Sequence, residues 1–245
     1  MYLFVDRIHR LPRIWSNSEL KEHAHLFHGE VVNVSGWKDI DKEGKKYKDY
    51  FINAESYSIT NYKSEARGSQ GLEGEIFLDL EDELPSDLNG KFDVVFNHTT
   101  LEHVFRVNQA FDNLCLMSKD IVIVILPFLQ QYHADYGDYW RFTPLAIKKM
   151  FEENGYELLY QSFNNHKRSS VYTYTIASKH PEKWLKYFNW SFSHIDQKAK
   201  GSEPYIGCNA IGNWSNKIGS SKYGNILVRV AVLLNKARVF LMKRT

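Results

Sequence analysis

The sequence predicts an open α/β sheet of about seven strands. It is mostly parallel, ends in an antiparallel hairpin, carries helices on both faces, and has a helical appendage at its C-terminus. Three observations predict this. Short apolar runs alternate with helical patterns from Glu30 to Glu153, the order that winds a parallel sheet. The run Ile121-Val-Ile-Val-Ile-Leu126 is apolar at every position, as suits a strand buried on both faces in the middle of such a sheet. Two further apolar segments, Tyr156 to Phe163 and Ser170 to Ser178, flank the polar turn Asn164 to Arg168 and pair as a hairpin.

Each element has its own signal. Ser16-Asn-Ser-Glu19 has the pattern of a capping box and predicts a helix from there to Phe27, stopped by Gly29. Strands follow at Glu30 to Gly36, Tyr57 to Tyr62, Glu75 to Leu80 and Phe92 to Asn97, the last introduced by the turn Asn89-Gly90. Lys38 to Asp49 is charged and reads as a loop or a poor helix, and Lys63 to Gly74 as a polar loop. Leu101 to Met117 holds apolar residues in helical register. Leu145 to Glu153 is a helix begun by Pro144 and stopped at Asn154-Gly155.

Composition bounds the function. The 245 residues carry 31 Lys and Arg against 29 Asp and Glu, a net charge of +2, with 43% hydrophobic and 24% charged residues. This balance excludes wholesale disorder and argues against nucleic acid as the main partner. The two cysteines, Cys115 and Cys208, have no spacing that suggests a disulfide framework or zinc. Met1 to Ile14 lacks a signal-peptide pattern, and no apolar run is long enough to span a bilayer. A cytoplasmic setting is the default expectation.

Ligands of open α/β sheets bind beyond the carboxyl ends of the strands. Ser35-Gly36, Asn61-Tyr62, Asp79-Leu80-Glu81, Asn97-His98 and Pro127-Phe128 stand there. Such a set can hold a nucleoside, with an acid or amide on its hydroxyls and amine. The segment Phe92-Asp-Val-Val-Phe-Asn-His-Thr-Thr-Leu-Glu-His-Val104 resembles the fourth strand and "LEHV" helix start of class I S-adenosylmethionine-dependent methyltransferases. Asp138-Tyr-Trp-Arg-Phe-Thr-Pro144 resembles the "DYxRFT" segment of a type 11-like branch rich in sugar- and polysaccharide-modifying members. Asn154-Gly-Tyr156 and the terminal hairpin complete a likeness over residues 28 to 180. The chain divides accordingly into a Rossmann-like domain, 1–180, and an extension, 181–245.

The resemblance implies S-adenosylmethionine as cofactor, held by Ser35, Gly36, Trp37, Asn61, Asp79, Leu80, Asn97 and His98. It departs from the family after the first strand. An acid and a glycine-rich turn are expected there, and Asn33-Val-Ser-Gly-Trp37 stands instead. The acid after the second strand is replaced by Thr60-Asn61. The resemblance further implies methyl transfer to a sugar or glycan hydroxyl. Such an acceptor benefits from a base of near-neutral pKa, and His98, His103 and His133 are candidates. His133 is assigned as the base, with Asp135 or Asp138 orienting it or binding sugar hydroxyls; the alternative is a loop histidine bonded to backbone. Tyr139 and Trp140, like Trp37 and Tyr136, either stack on sugar faces or pack. Arg141 either pairs with Asp138 or binds an anionic acceptor group. Glu102 suits a helix N-terminus. The spacing of His133, Asp135 and Asp138 is not diagnostic of a metal, and none is assigned. A second reading keeps the fold and drops catalysis, leaving a binding or scaffold subunit.

In the extension, Pro181 to Phe192 is aromatic and could pack on the domain or cover the acceptor cleft. Lys198 to Ser221 reads as a loop. Ile226 to Met242 is an amphipathic helix with Ile226, Val230, Leu233 and Leu234 on one face and Arg229, Lys236 and Lys243 opposite. It seeks its own domain, a second copy, or a peripheral membrane contact.

Overall fold

The computed structural model describes residues 5–63, 68–133, 137–164, 166 and 169–193. Seven strands form one sheet: β1 (Gly29–Val34), β2 (Ala54–Asn61), β3 (Glu75–Phe77), β4 (Phe92–His98), β5 (Ser118–Leu129), β6 (Glu157–Phe163) and β7 (Val171–Ser178). Their order is β3-β2-β1-β4-β5-β7-β6. The first five are parallel, and β7 runs antiparallel to both β5 and β6. The expected mixed sheet and terminal hairpin are present. The chain steps outward from β1 to β3, then returns to lay β4 on the other side of β1. The strand order therefore reverses between β1 and β4, which opens a crevice at their carboxyl ends.

Alternation along the strands feeds two cores. Val32, Val34, Val95, Val122, Val124 and Leu126 face α2 (Val107–Met117) and α3 (Pro144–Glu153). Val31, Val94, Phe96, Ile121, Ile123 and Ile125 face α1 (Arg10–His23) and the aromatic trio Tyr47, Tyr50 and Phe51. This is the two-sided burial that the apolar run of β5 predicts. Cys115 is a buried free thiol of α2. Thr143 caps α3 by accepting from Ala146 N at 3.1 Å, with Pro144 in the first turn.

Two helical expectations are corrected. Ser16 and Glu19 do not form a capping box, because α1 begins six residues earlier, at Arg10. The Asp6 carboxylate accepts from the backbone N–H groups of Ile8, His9 and Arg10 at its start. The two residues of the apparent box work across the fold instead. Ser16 Oγ lies 2.9 Å from His98 Nε2, and Glu19 accepts from Tyr160 and Ser162. Leu101 to Met117 is not one helix either: a 3-10 turn, Leu101–His103, precedes α2. The Glu102 carbonyl accepts from Tyr139 N and Trp140 N, so it is not the start of a helical ladder.

The crossover from β1 to β2 carries a 3-10 turn, Tyr47–Tyr50, and otherwise fits the loop reading. Two buried carboxylates organise it. Asp39 accepts from Asn33 Nδ2 (2.8 Å), Tyr57 Oη (2.6 Å) and Lys48 N (3.0 Å). Asp41 accepts from Glu43 N, Lys45 N and Tyr50 Oη. The start of the extension packs on the α1 face. Trp184 donates to Asp120 Oδ2 at 3.1 Å, and the Phe188 ring stacks on His23 at 5.6 Å. The amphipathic segment 226–242 and the dimer or membrane contact expected of it lie outside the described residues. Among the described residues, no helix is long and apolar enough to cross a membrane.

Candidate active-site cleft

A cleft of about 460 Å³ opens at the carboxyl ends of the strands, where the strand order reverses. Ser35, Gly36, Trp37, Asn61, Asp79, Leu80 and His98 line it, together with Arg13, Thr99, Thr100, His103 and Val104. Seven of the eight residues expected to hold a cofactor thus share one hollow. Asn97 is the exception. Its side chain is buried behind the wall, and Nδ2 donates to the Val34 carbonyl at 3.0 Å, tying β4 to β1.

The turn after β1 does without a glycine-rich sequence by holding other residues in left-handed backbone. Ser35 has φ 57° and Trp37 φ 52°. Among the described residues only Asp39 and Thr99 are further non-glycine cases, and Thr99, at φ 51°, also lines the cleft. A β-branched or bulky residue rarely adopts this region, and such strain concentrates at ligand-binding sites. Gly36 is required by close approach: a Cβ there would lie 2.6 Å from Asn33 Nδ2 and 3.0 Å from Ile59 Cγ2.

Asn61 lines the cleft but is turned to the turn that follows β1. Its Oδ1 accepts from Trp37 N at 2.7 Å, and its Nδ2 donates to Trp37 O and to Glu75. Both amide hydrogens are therefore engaged in holding Trp37 and Glu75, and Oδ1 keeps one lone pair for a hydroxyl donor. Asp79 is more open. Its Oδ1 accepts a bond from Glu81 N at 2.9 Å, which leaves most of the carboxylate for hydroxyl or amine donors.

Arg13, 86 residues away from Thr99 in sequence, donates to Thr99 Oγ1 at 2.9 Å on the cleft wall. No motif pointed to it; only the docking of α1 on the sheet brings it there. Burial works against its charge, and the neighbouring Tyr172, Tyr47 and Glu102 more than offset this, so its pKa lies above the ordinary value. His98 is held between Ser16 Oγ and Thr99 Oγ1. Burial, with the charge of Arg13 adding, holds its pKa well below the ordinary value.

That depression has a sign in stability. The unfolded chain takes up a proton on this histidine near pH 6.5, and the folded chain does not. The histidine therefore contributes stability above that pH and loses it as pH falls toward the folded value. Urea unfolding below about pH 6.5 is expected to show the wild type losing up to about 1.4 kcal/mol per pH unit relative to His98→Gln. Parallel pH profiles for the two proteins would refute a neutral buried imidazole.

The residues expected on the acceptor side gather beside His103. Asp138, its side chain fully buried, accepts from Arg141 Nη1 at 2.5 Å, Arg141 Nη2 at 2.8 Å and His133 N at 2.7 Å. Burial opposes its charge, but Arg141 and the His133 N–H hold its pKa below the ordinary carboxylate value. Arg141 also donates to the carbonyls of Gln130, Gln131 and Trp140. All five of its N–H groups are satisfied within the loop. Of the two roles weighed for Arg141, the structure displays the pair with Asp138.

The His133 ring is not on the cleft wall. It sits 5.1 Å from the His9 ring and 5.2 Å from the His103 ring, and His103 is the imidazole that lines the cleft. Asp135 and Tyr136 lie outside the described residues. Tyr139 and Trp140 are 52% and 38% exposed, with Phe105 64% exposed against Tyr139; they are exposed aromatics beside His103 rather than packed core, and none of the three lines the cleft. Glu102 is not at a helix N-terminus. It is buried beside His103, and burial pushes its pKa up to about 7.

No protein-family model matches the chain, and no curated protein matches it either. Solved structures do. The strand order is that of a Rossmann-like fold, with the cleft at its switch point. A candidate methyltransferase from Bacillus halodurans shares it with a TM-score of 0.50 at 12% identity, over 66% of this chain and 97% of that one. A S-adenosylmethionine-dependent methyltransferase from Clostridium acetobutylicum aligns at TM-score 0.49 and 9% identity, over 72% and 94% of the two chains. Magnesium protoporphyrin IX methyltransferase from Synechocystis, solved with bound S-adenosylmethionine, aligns at 0.43 and 11%, over 70% and 79%.

Proposed function

We propose that this chain is an S-adenosylmethionine-dependent methyltransferase that O-methylates a sugar hydroxyl, in a surface polysaccharide or its precursor. The observation that carries the reading is the convergence of Ser35 to Trp37, Asp79 and Thr99 on one cleft at the sheet's switch point. The fold neighbour from Bacillus halodurans, itself a candidate methyltransferase, supports it.

The residues present fit this cofactor. The cleft volume lies within the usual range for small-molecule sites. Asp79 offers a carboxylate to ribose hydroxyls or the adenine amine. Arg13 offers a cation to the carboxylate of the methionine part, and Gly36 lets backbone approach closely. When bound, the cofactor supplies a methyl group on a sulfonium, which is already a good leaving group. The protein's share is then alignment and exclusion of water.

Phe105, Tyr139 and Trp140 offer flat apolar faces to the ring carbons of a sugar. The pair His103 and His133 stands at the same end and serves the proton lost by the acceptor hydroxyl.

Calorimetric titration with S-adenosylmethionine tests the reading. Saturable binding is expected, weakened about tenfold or more in Asp79→Ala, as loss of a hydrogen bond to a charged group implies. No binding at millimolar cofactor would overturn it and leave a non-catalytic binding subunit.

A further inference from the structure

We propose that His103, His133 and Asp138 form a binding site for one divalent transition-metal ion at the acceptor end of the cleft. One potential ligand atom from each residue lies within 4.8 Å of the others. They come from three places: the 3-10 turn after β4, the segment after β5, and the loop before α3.

The finer geometry points the same way. His133 Nδ1 lies 3.2 Å from Asp138 Oδ2, yet it is buried and makes no hydrogen bond. His103 Nδ1 stands 2.5 Å from the Gly137 carbonyl. A carbonyl only accepts, so Nδ1 carries the hydrogen, which fixes the tautomer that presents Nε2 as a ligand. Asp138 is oriented by Arg141 and by His133 N. Two of those bonds go to Oδ2 and one to Oδ1, so the one of its roughly four lone-pair sites left for a cation is on Oδ1. The Glu102 carboxyl, 3.7 Å from His103 Nε2 and with Oε2 unpartnered, adds a second acid next to the site.

The donor set selects the ion. Two imidazoles and one carboxylate suit Zn²⁺, Co²⁺, Mn²⁺ or Fe²⁺, whereas Mg²⁺ and Ca²⁺ take oxygen ligands. Three protein ligands leave a position for an exogenous oxygen, and His103 places it on the cleft wall. The catalytic use of the ion rests on the methyltransferase reading; the binding does not. With both imidazoles on the ion, the ion takes over their part in handling the proton: an acceptor hydroxyl bound to it loses its proton to solvent more easily. Its oxygen then bonds to the methyl carbon as the carbon–sulfur bond breaks, and the sulfonium leaves as a neutral thioether.

Chelator-treated full-length chain, titrated with Co²⁺ and read by its visible absorption, tests the site. One Co²⁺ per chain is expected, displaced by Zn²⁺ and not by Mg²⁺. His103→Gln and His133→Gln should each weaken binding by at least the roughly tenfold that loss of even an outer-shell partner costs. His25→Ala, at an exposed position, should leave it unchanged. Absence of saturable binding, or wild-type affinity in both glutamine variants, would overturn the site. Titration of the same sample with S-adenosylmethionine separates the two readings. Cofactor binding without Co²⁺ binding removes the metal site alone, and Co²⁺ binding without cofactor binding removes the methyl-transfer reading alone.

Discussion

Replacement of Arg141 by alanine is expected to destabilise the chain by about 3 kcal/mol, the low end of what removing one partner of a buried ion pair costs. The Asp138 side chain is fully buried and would lose two of its three hydrogen bonds at once. Three backbone carbonyls, of Gln130, Gln131 and Trp140, would lose their donor in the same step. Arg141→Lys keeps a charge but not the planar fork, so it should recover less than half of the loss. Urea midpoints of the two variants check this. A cost under about 1 kcal/mol for the alanine, the worth of a surface pair, would show that Asp138 finds other partners. Because Asp138 also holds His133 N, amide exchange near His133 should rise in parallel.

Gly36→Ala is expected to cost about 2–3 kcal/mol and to weaken cofactor binding. The new Cβ would sit 2.6 and 2.7 Å from the Asn33 amide. Asn33 is buried, and its Nδ2 donates to the buried Asp39 carboxylate at 2.8 Å. It cannot swing away without breaking a bond to a charged group, worth about 1.5–3 kcal/mol. A double-mutant cycle isolates the cause. In an Asn33→Ala background the same Gly36→Ala change should cost much less. Equal costs in both backgrounds would place the strain elsewhere.

The sheet was readable because its signals are local. The all-apolar run of β5 required a central strand, and Pro144 after Thr143 marked the start of α3. The site was readable in part. Ser35, Gly36, Trp37, Asp79 and His98 sit at strand ends, and topology alone sends strand ends to one crevice. What escaped depends on distant partners. Ser16 and Glu19 resemble a helix cap because the pattern is defined over four residues, while their real partners, His98, Tyr160 and Ser162, are more than eighty residues away. Arg13 reaches the cleft wall for the same reason. The break between Leu101–His103 and α2 follows from the Glu102 carbonyl accepting from Tyr139 and Trp140, a contact without a signal near Glu102. Asn61 was placed at the right wall, but its amide turns to Trp37 and Glu75, and side-chain direction is set by packing rather than by position along a strand.

The left-handed backbone at Ser35, Trp37 and Thr99 makes the cleft rim stiffer than a run of glycines would. Each such residue lowers folded stability by about 1–2 kcal/mol, yet its side chain narrows the conformations open to the rim. Less freedom is then left to freeze when a ligand arrives. The rim is in that sense set before it is used, and the cost falls on folding rather than on affinity.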